Sequence, residues 1–282
     1  MKKTLIALLV IVTSLVSCSD KPKTVGEYLA VAEKSYNAGD YFQARKYLSE
    51  AIRLKPTDKE VIYQMGRNYA AEIMYDSSFA HLSRADKLYP NDRRINELLH
   101  EVSVKTGRWQ EAIQALLSLS RTGDPIEKHY HSIAEYARKG GIGQVADYYY
   151  GKLIEIGPDS MNFYIYQAEG ALIMEKPEKS IEIISSAVKR FGDRPKLLSD
   201  LSKYYSITGN LTEAEKVLRI LVSKDSSILN QLQLATALAF QDSRPKKEEA
   251  YTMFKKLRSQ TPEVNKVDSI LAGLEKELTK RP

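Results

Sequence analysis

The chain has one cysteine, Cys18, and only four histidines among its 282 residues. A single thiol excludes an intramolecular disulfide whatever the redox state of the compartment. The histidines are scattered, and only His129 and His131 lie near each other. Two residues apart on a helix, they point in different directions. His100-Glu101 begins like a zinc-protease motif, but Val102-Ser103-Val104 follows, without the second His one turn later that ligation needs. No phosphate loop is present, no Gly-rich turn joins a strand to a helix, and no segment reads as a strand. The expectation is therefore no metal, no cofactor and no enzymatic activity, because catalysis needs residues converging in a closed pocket. Charge of one sign is also scarce. There are 42 basic and 36 acidic residues, and without Lys2 and Lys3 the balance is 40 to 36. So small an excess suits a nucleic-acid partner only if it is gathered on one face. A long hydrophobic run is missing too. The longest, Leu5 to Val16, is about twelve residues, interrupted by Thr13 and Ser14, whereas a membrane-spanning helix needs about 20.

That short run nevertheless has neighbours that give it a role. Lys2 and Lys3 precede it as a basic segment, and Cys18 follows directly, an arrangement that reads as a secretory signal over residues 1–17. Leu15-Val16-Ser17-Cys18 resembles the bacterial lipobox, with Leu three residues before the Cys and a small residue just before it. The resemblance implies cleavage after Ser17, thioether lipidation of Cys18 and acylation of the new N-terminus. Several acyl chains make attachment to a membrane effectively permanent where one gives only marginal binding. Residues 18–24 are then the lipidated Cys and a short polar tether. Ser19 stands where Asp retains some Gram-negative lipoproteins in the inner membrane, so the resemblance points to the outer membrane, on either its periplasmic or its exterior side.

The body of the chain repeats a phrase. GDYFQA starts at Gly39, GRWQEA at Gly107 and GNLTEA at Gly209, and GGIGQVA contains Gly141; these glycines are 68, 34 and 68 residues apart. If each Gly is repeat position 15, position 20 reads Ala44, Ser78, Ala112, Ala146, Ser180 and Ala214, always small. Position 24 reads Leu48, Leu82, Leu116, Tyr150, Ile184 and Leu218, always apolar. Position 32 reads Pro56, Pro90, Asp124, Pro158, Gly192 and Ser226, breakers or caps. Within the first helix of each unit, position 4 is large (Tyr28, Ile62, Tyr130, Tyr164, Leu198) and position 8, on the same face, is small (Ala32, Gly66, Ala134, Ala168, Ser202). The small residue lets the neighbouring helix approach, and each pair needs the next to cover its apolar face. Repeat three departs from this, with Asn96 and His100 at those positions, which marks either a seam or ordinary drift. Where Gly is absent at position 15, at Glu175 and Ser243, Pro177 or Pro245 is expected to start the next helix.

This pattern resembles the tetratricopeptide repeat, a 34-residue helix-turn-helix unit. The resemblance implies an all-α, right-handed superhelical solenoid. Repeats fall near 25–58, 59–92, 93–126, 127–160, 161–194, 195–228 and 229–262, and residues 263–282 form a capping helix and tail. It also implies a groove lined by positions 2, 5, 9 and 12 of the first helices. Repeat two places Glu60, Tyr63, Arg67 and Ala70 there; repeat three Arg94, Glu97, Glu101 and Val104; repeat four Lys128, His131, Glu135 and Arg138. The charges balance, which disfavours a phosphate backbone and fits a protein or peptide partner. Repeat five offers Asn162, Ile165, Glu169 and Leu172, with Ile173 beside them. The aliphatics are candidate anchors, together with Tyr63 and Arg67, unless they pack against the array itself. Chaperone-binding members of the family clamp a terminal carboxylate with Lys and Asn at positions 5 and 9 of repeat one; here Leu29 and Glu33 stand there, which argues against that use. The expectation is an adaptor of envelope complexes; the rivals are a nutrient- or glycan-binding surface lipoprotein and a regulatory subunit of an envelope hydrolase or protease.

Overall fold

The structure, a computed structural model, describes residues 22–156, 159–260 and 265–279. The signal segment and Cys18 lie outside these residues. Fifteen α-helices, and no strand, occur among the described residues. They divide into two compact units, up to Asp124 and from Pro125.

The first unit holds α1 (Val25–Asn37), α2 (Tyr41–Leu54), α3 (Lys59–Ala71), α4 (Tyr75–Leu88), α5 (Arg93–Lys105) and α6 (Trp109–Arg121). The second opens with a 3-10 turn, Ile126–His129, followed by α7 (Tyr130–Lys139), α8 (Gly143–Ile156), α9 (Met161–Ile173), α10 (Pro177–Phe191), α11 (Pro195–Ile207), α12 (Leu211–Lys224), α13 (Ile228–Ala239), α14 (Arg244–Gln260) and α15 (Asn265–Leu278). Within each unit successive helices pack in antiparallel hairpins, the tetratricopeptide architecture that the 34-residue period predicts. The last helix covers repeat seven, burying Val267 and Leu274 in the core that runs from Ile165 to the end of the unit.

The repeat positions explain the hairpins. Position-20 Ala44, Ala112, Ala146 and Ala214 are wholly buried, as are position-4 Ile62 and position-8 Ala134 and Ala168. Where position 20 is Ser, its hydroxyl is paired across the hairpin. Ser78 Oγ donates to the Gly66 carbonyl at 2.7 Å and Ser180 Oγ to the Ala168 carbonyl at 2.8 Å, both twelve residues back, so neither buried oxygen is orphaned. A Cβ on Gly66 would stand 2.7 Å from Leu82 Cγ, which is why position 8 stays small.

Each of the six gapless hairpins turns through the same left-handed residue. Gly39, Gly107, Gly141 and Gly209 have φ of 78°, 68°, 68° and 75°. Ile73 and Glu175, in the two copies that lack the Gly, adopt φ of 61° and 58°. In every copy the following N–H reaches back five residues to a helix carbonyl, from Asp40 to Ser35, Met74 to Tyr69, Arg108 to Ser103, Ile142 to Ala137, Lys176 to Ala171 and Asn210 to Tyr205. Pro177 does start α10, but it does not replace the left-handed turn; Glu175 still makes it.

Of the two readings of repeat three, the structure bears out ordinary drift. Repeat three packs as its neighbours do: Asn96 is buried and donates to the Asp92 carbonyl at 2.9 Å, and the boundary between units falls later, between Asp124 and Pro125. The expectation of a first helix in repeat four that includes Lys128 is corrected. Gly123 at φ 122° and Pro125 interrupt the chain, residues 126–129 wind as a 3-10 turn, and α7 starts only at Tyr130.

Candidate functional site

In the first unit the groove positions make a ladder of like positions. Glu33 and Arg67, both at position 9, are paired at 2.9 Å, and Glu60 and Arg94, both at position 2, at 2.7 Å. One repeat period separates each pair, so the rungs run between adjacent first helices. Each guanidinium also lies over a tyrosine ring, Arg67 over Tyr36 at 3.9 Å and Arg94 over Tyr63 at 4.7 Å. The second unit repeats the device: Arg138 is held by both oxygens of Glu135, approaches Glu169 at 3.7 Å and lies over Tyr166 at 4.7 Å. Part of the charge balance legible in the sequence is thus actual pairing: Glu60 with Arg94, Glu135 with Arg138, and Arg67 with Glu33 of repeat one.

These partners shift the ionisations. Burial raises the Glu60 and Glu135 carboxyls, but their hydrogen bonds with Arg94 and Gln64, and with Arg138 and Tyr150, outweigh it and hold both below the usual range. Burial drives the Tyr150 phenol up, and its hydrogen bond to Glu135, at 3.0 Å, adds to this.

The remaining expected groove residues are placed unequally. His131 is exposed and meets Phe163 edge-on at 6.1 Å between centroids. Lys128 is exposed, but it sits on the 3-10 turn rather than on an α-helical face, because the helix has not yet begun there. Leu172 is half-buried against the core. Ile165 is withdrawn from the site. Only 3% of it is exposed, because α9 turns it into the apolar core beside Leu198 and Leu201, and Ile173, 44% exposed, is the aliphatic that faces outward.

An open recess in repeats six and seven was missed by the sequence reading, which stopped at repeat five. It is a cleft of about 660 Å³ between α11 and α13, the first helices of repeats six and seven, floored by α12. Lys203 and Ser206 at positions 9 and 12 of repeat six, and Gln233 and Phe240 at positions 5 and 12 of repeat seven, contribute to it. Ile207 and Phe240 stand on its rim, 51% and 67% exposed. Phe240 also borders a second cleft of about 280 Å³ that extends to Ile270 and Gly273 of α15. The signal was available: groove positions 2, 5, 9 and 12 of repeat seven are Asn230, Gln233, Ala237 and Phe240, with no charge among them.

Among the described residues, no group of three or more His, Cys, Asp or Glu side chains is arranged to hold a metal ion, and no helix is long and apolar enough to cross a membrane.

No family model matches the chain. In fold it is similar to a chain of the Naa15/Naa10 assembly bound to HypK-THB, with a TM-score of 0.65 and 16% identity over 90% of this chain. The match spans 39% of that longer chain. It is similar too to the C-terminal part of a tetratricopeptide repeat-containing protein from Cytophaga hutchinsonii, with a TM-score of 0.50 and 12% identity over 86% of this chain and 99% of that one.

Proposed function

We propose that the protein is a lipid-anchored adaptor of the bacterial cell envelope that holds a protein or peptide partner on the first-helix face of its repeats. The observation that carries this reading is the open, mostly apolar recess between α11 and α13, with Ile207 and Phe240 exposed on its rim. Exposed apolar surface of this kind, rimmed by polar residues, is where partners bind. The solved chain of the Naa15/Naa10 assembly, similar in fold, occurs bound to HypK-THB. Pairing of the groove arginines with carboxylates supports a protein partner over nucleic acid, because phosphate binding needs cations that are not already neutralised.

The address rests on the sequence: the apolar run, the Leu15-Val16-Ser17-Cys18 phrase and Ser19 support attachment to a membrane through lipid on Cys18, with the outer membrane as the proposed destination. The test is crosslinking in cells followed by affinity purification. The native chain is expected to recover a defined partner, and Arg67→Ala, which removes the Glu33 rung and the contact with Tyr36, is expected to lower recovery while the circular dichroism spectrum stays helical. Recovery of no partner from crosslinked envelopes contradicts the adaptor reading. Saturable binding of a soluble glycan by the full chain supports a nutrient-capturing protein instead.

A further inference from the structure

The paired clefts on α11, α13 and α15 have a chemistry that narrows the occupant. Lys203 is the one charged residue lining the larger cleft. Its ammonium is exposed and lies 5.9 Å from the Tyr204 ring centroid, and it belongs to no ion pair among the described residues. That sets it apart from the groove cations Arg67, Arg94 and Arg138, which all have carboxylates. On the facing helix Gln233 Oε1 is buried without a hydrogen-bond partner. An orphaned carbonyl oxygen of this kind is unfavourable until a donor reaches it. The rest of the lining is mostly apolar or small, and Phe240 divides the recess into two lobes.

The occupant must therefore bring apolar side chains to both sides of Phe240, an anion to Lys203 and an N–H or O–H donor to Gln233. A peptide segment with alternating apolar and acidic residues carries all of these, the donor being its own amide N–H. A saturated acyl chain carries no donor, and a nucleic acid has no aliphatic side chains for the lobes. We infer that this surface binds an acidic, apolar peptide segment of a partner protein, laid across α11, α13 and α15 with a carboxylate at Lys203. The inference rests on the adaptor reading and deepens it by naming the partner's chemistry.

The experiment uses the full-length chain in lipid nanodiscs and fluorescence anisotropy, with empty nanodiscs as blank. Three labelled dodecapeptides are the probes: one alternating Leu or Phe with Asp or Glu, one with Lys and Arg replacing the acids, and one with Ser replacing the apolar residues. The acidic apolar peptide is expected to bind at least tenfold more tightly than either control. Ser206→Trp, which fills the cleft from an exposed position, and Phe240→Ala, which removes an exposed divider, are each expected to weaken it at least fivefold with unchanged helicity. Lys203→Glu is expected to invert the preference toward the basic peptide, which mere loss of packing does not do. Equal binding of acidic and basic peptides by the wild-type chain, an unchanged preference in Lys203→Glu, or undiminished binding by both filled and truncated clefts overturns the inference. Displacement of the acidic peptide by equimolar dodecanoate overturns it in favour of an acyl ligand. If the cleft variants lose nothing while crosslinking in cells still recovers a partner, the peptide chemistry fails and the adaptor reading survives; if no partner is recovered by any variant, the adaptor reading fails.

Discussion

At Ile73 a β-branched side chain occupies a left-handed backbone at φ 61°, where four of the six equivalent positions carry Gly. For a residue with a branched Cβ this conformation costs about 1–2 kcal/mol. The side chain is 72% exposed, so its removal forfeits little packing. Ile73→Gly is expected to raise stability by about 1 kcal/mol after the greater freedom of Gly in the unfolded chain is allowed for, measurable by urea denaturation. His81 is a second strained site. Its ring stacks on Tyr69 at 5.4 Å, its Nδ1 is buried without a partner, and burial, aided by Arg84, pushes its pKa below the usual 6.5. A base with a depressed folded pKa contributes stability that is complete above the unfolded value and lost as pH falls below it. The melting temperature is therefore expected to decline as pH falls from about 6.5, and the decline to be smaller in His81→Phe. Neither residue announces itself in the sequence: Ile73 breaks the Gly pattern without a Pro to explain it, and the depth of His81 depends on which face of α4 meets α3.

Between elements, α8 and α9 of the second unit approach closely at Gly143 and Gly170. A Cβ on Gly143 would come within 2.6 Å of the Gly170 carbonyl oxygen, which is backbone and cannot swing aside. Gly143→Ala is expected to cost about 1–3 kcal/mol, detected as a lowered melting temperature, whereas alanine at Gly26, where a Cβ meets nothing within 4 Å, is expected to be neutral or mildly stabilising. The 34-residue register was readable because it depends on a few positions whose size is fixed in every copy, and the hairpins follow from those. What the period could not convey was local. Pro125 and Gly123 delay α7, which moves Lys128 off the helical face; Ile165 turns inward on the same helix that shows Ile173 outward. Two residues eight apart, Ile165 and Ile173, differ only in azimuth, which a degenerate repeat does not specify to better than a fraction of a turn.

For the whole molecule, the repeat phrase supplies the scaffold and the first twenty residues carry the proposed address. Cys18→Ala is expected to shift the protein out of the membrane fraction or leave its precursor uncut, as followed by fractionation and metabolic lipid labelling; a normally cleaved, lipid-labelled mutant contradicts the lipobox reading. The proposed binding face was legible in part. The groove charges in repeats two to four are balanced in the sequence, and the pairs Glu60–Arg94 and Glu135–Arg138 account for part of that balance, while the apolar cleft lies in repeats six and seven, at the same repeat positions. The most direct measurement places a photo-crosslinking amino acid in living cells at Ser206, on the first-helix face, and at Lys189, on the second helix of its repeat. A partner adduct at 206 and none at 189 is the expected result. Adducts of equal yield at both positions, or at 189 alone, contradict the account that this chain holds its partner on the first-helix face.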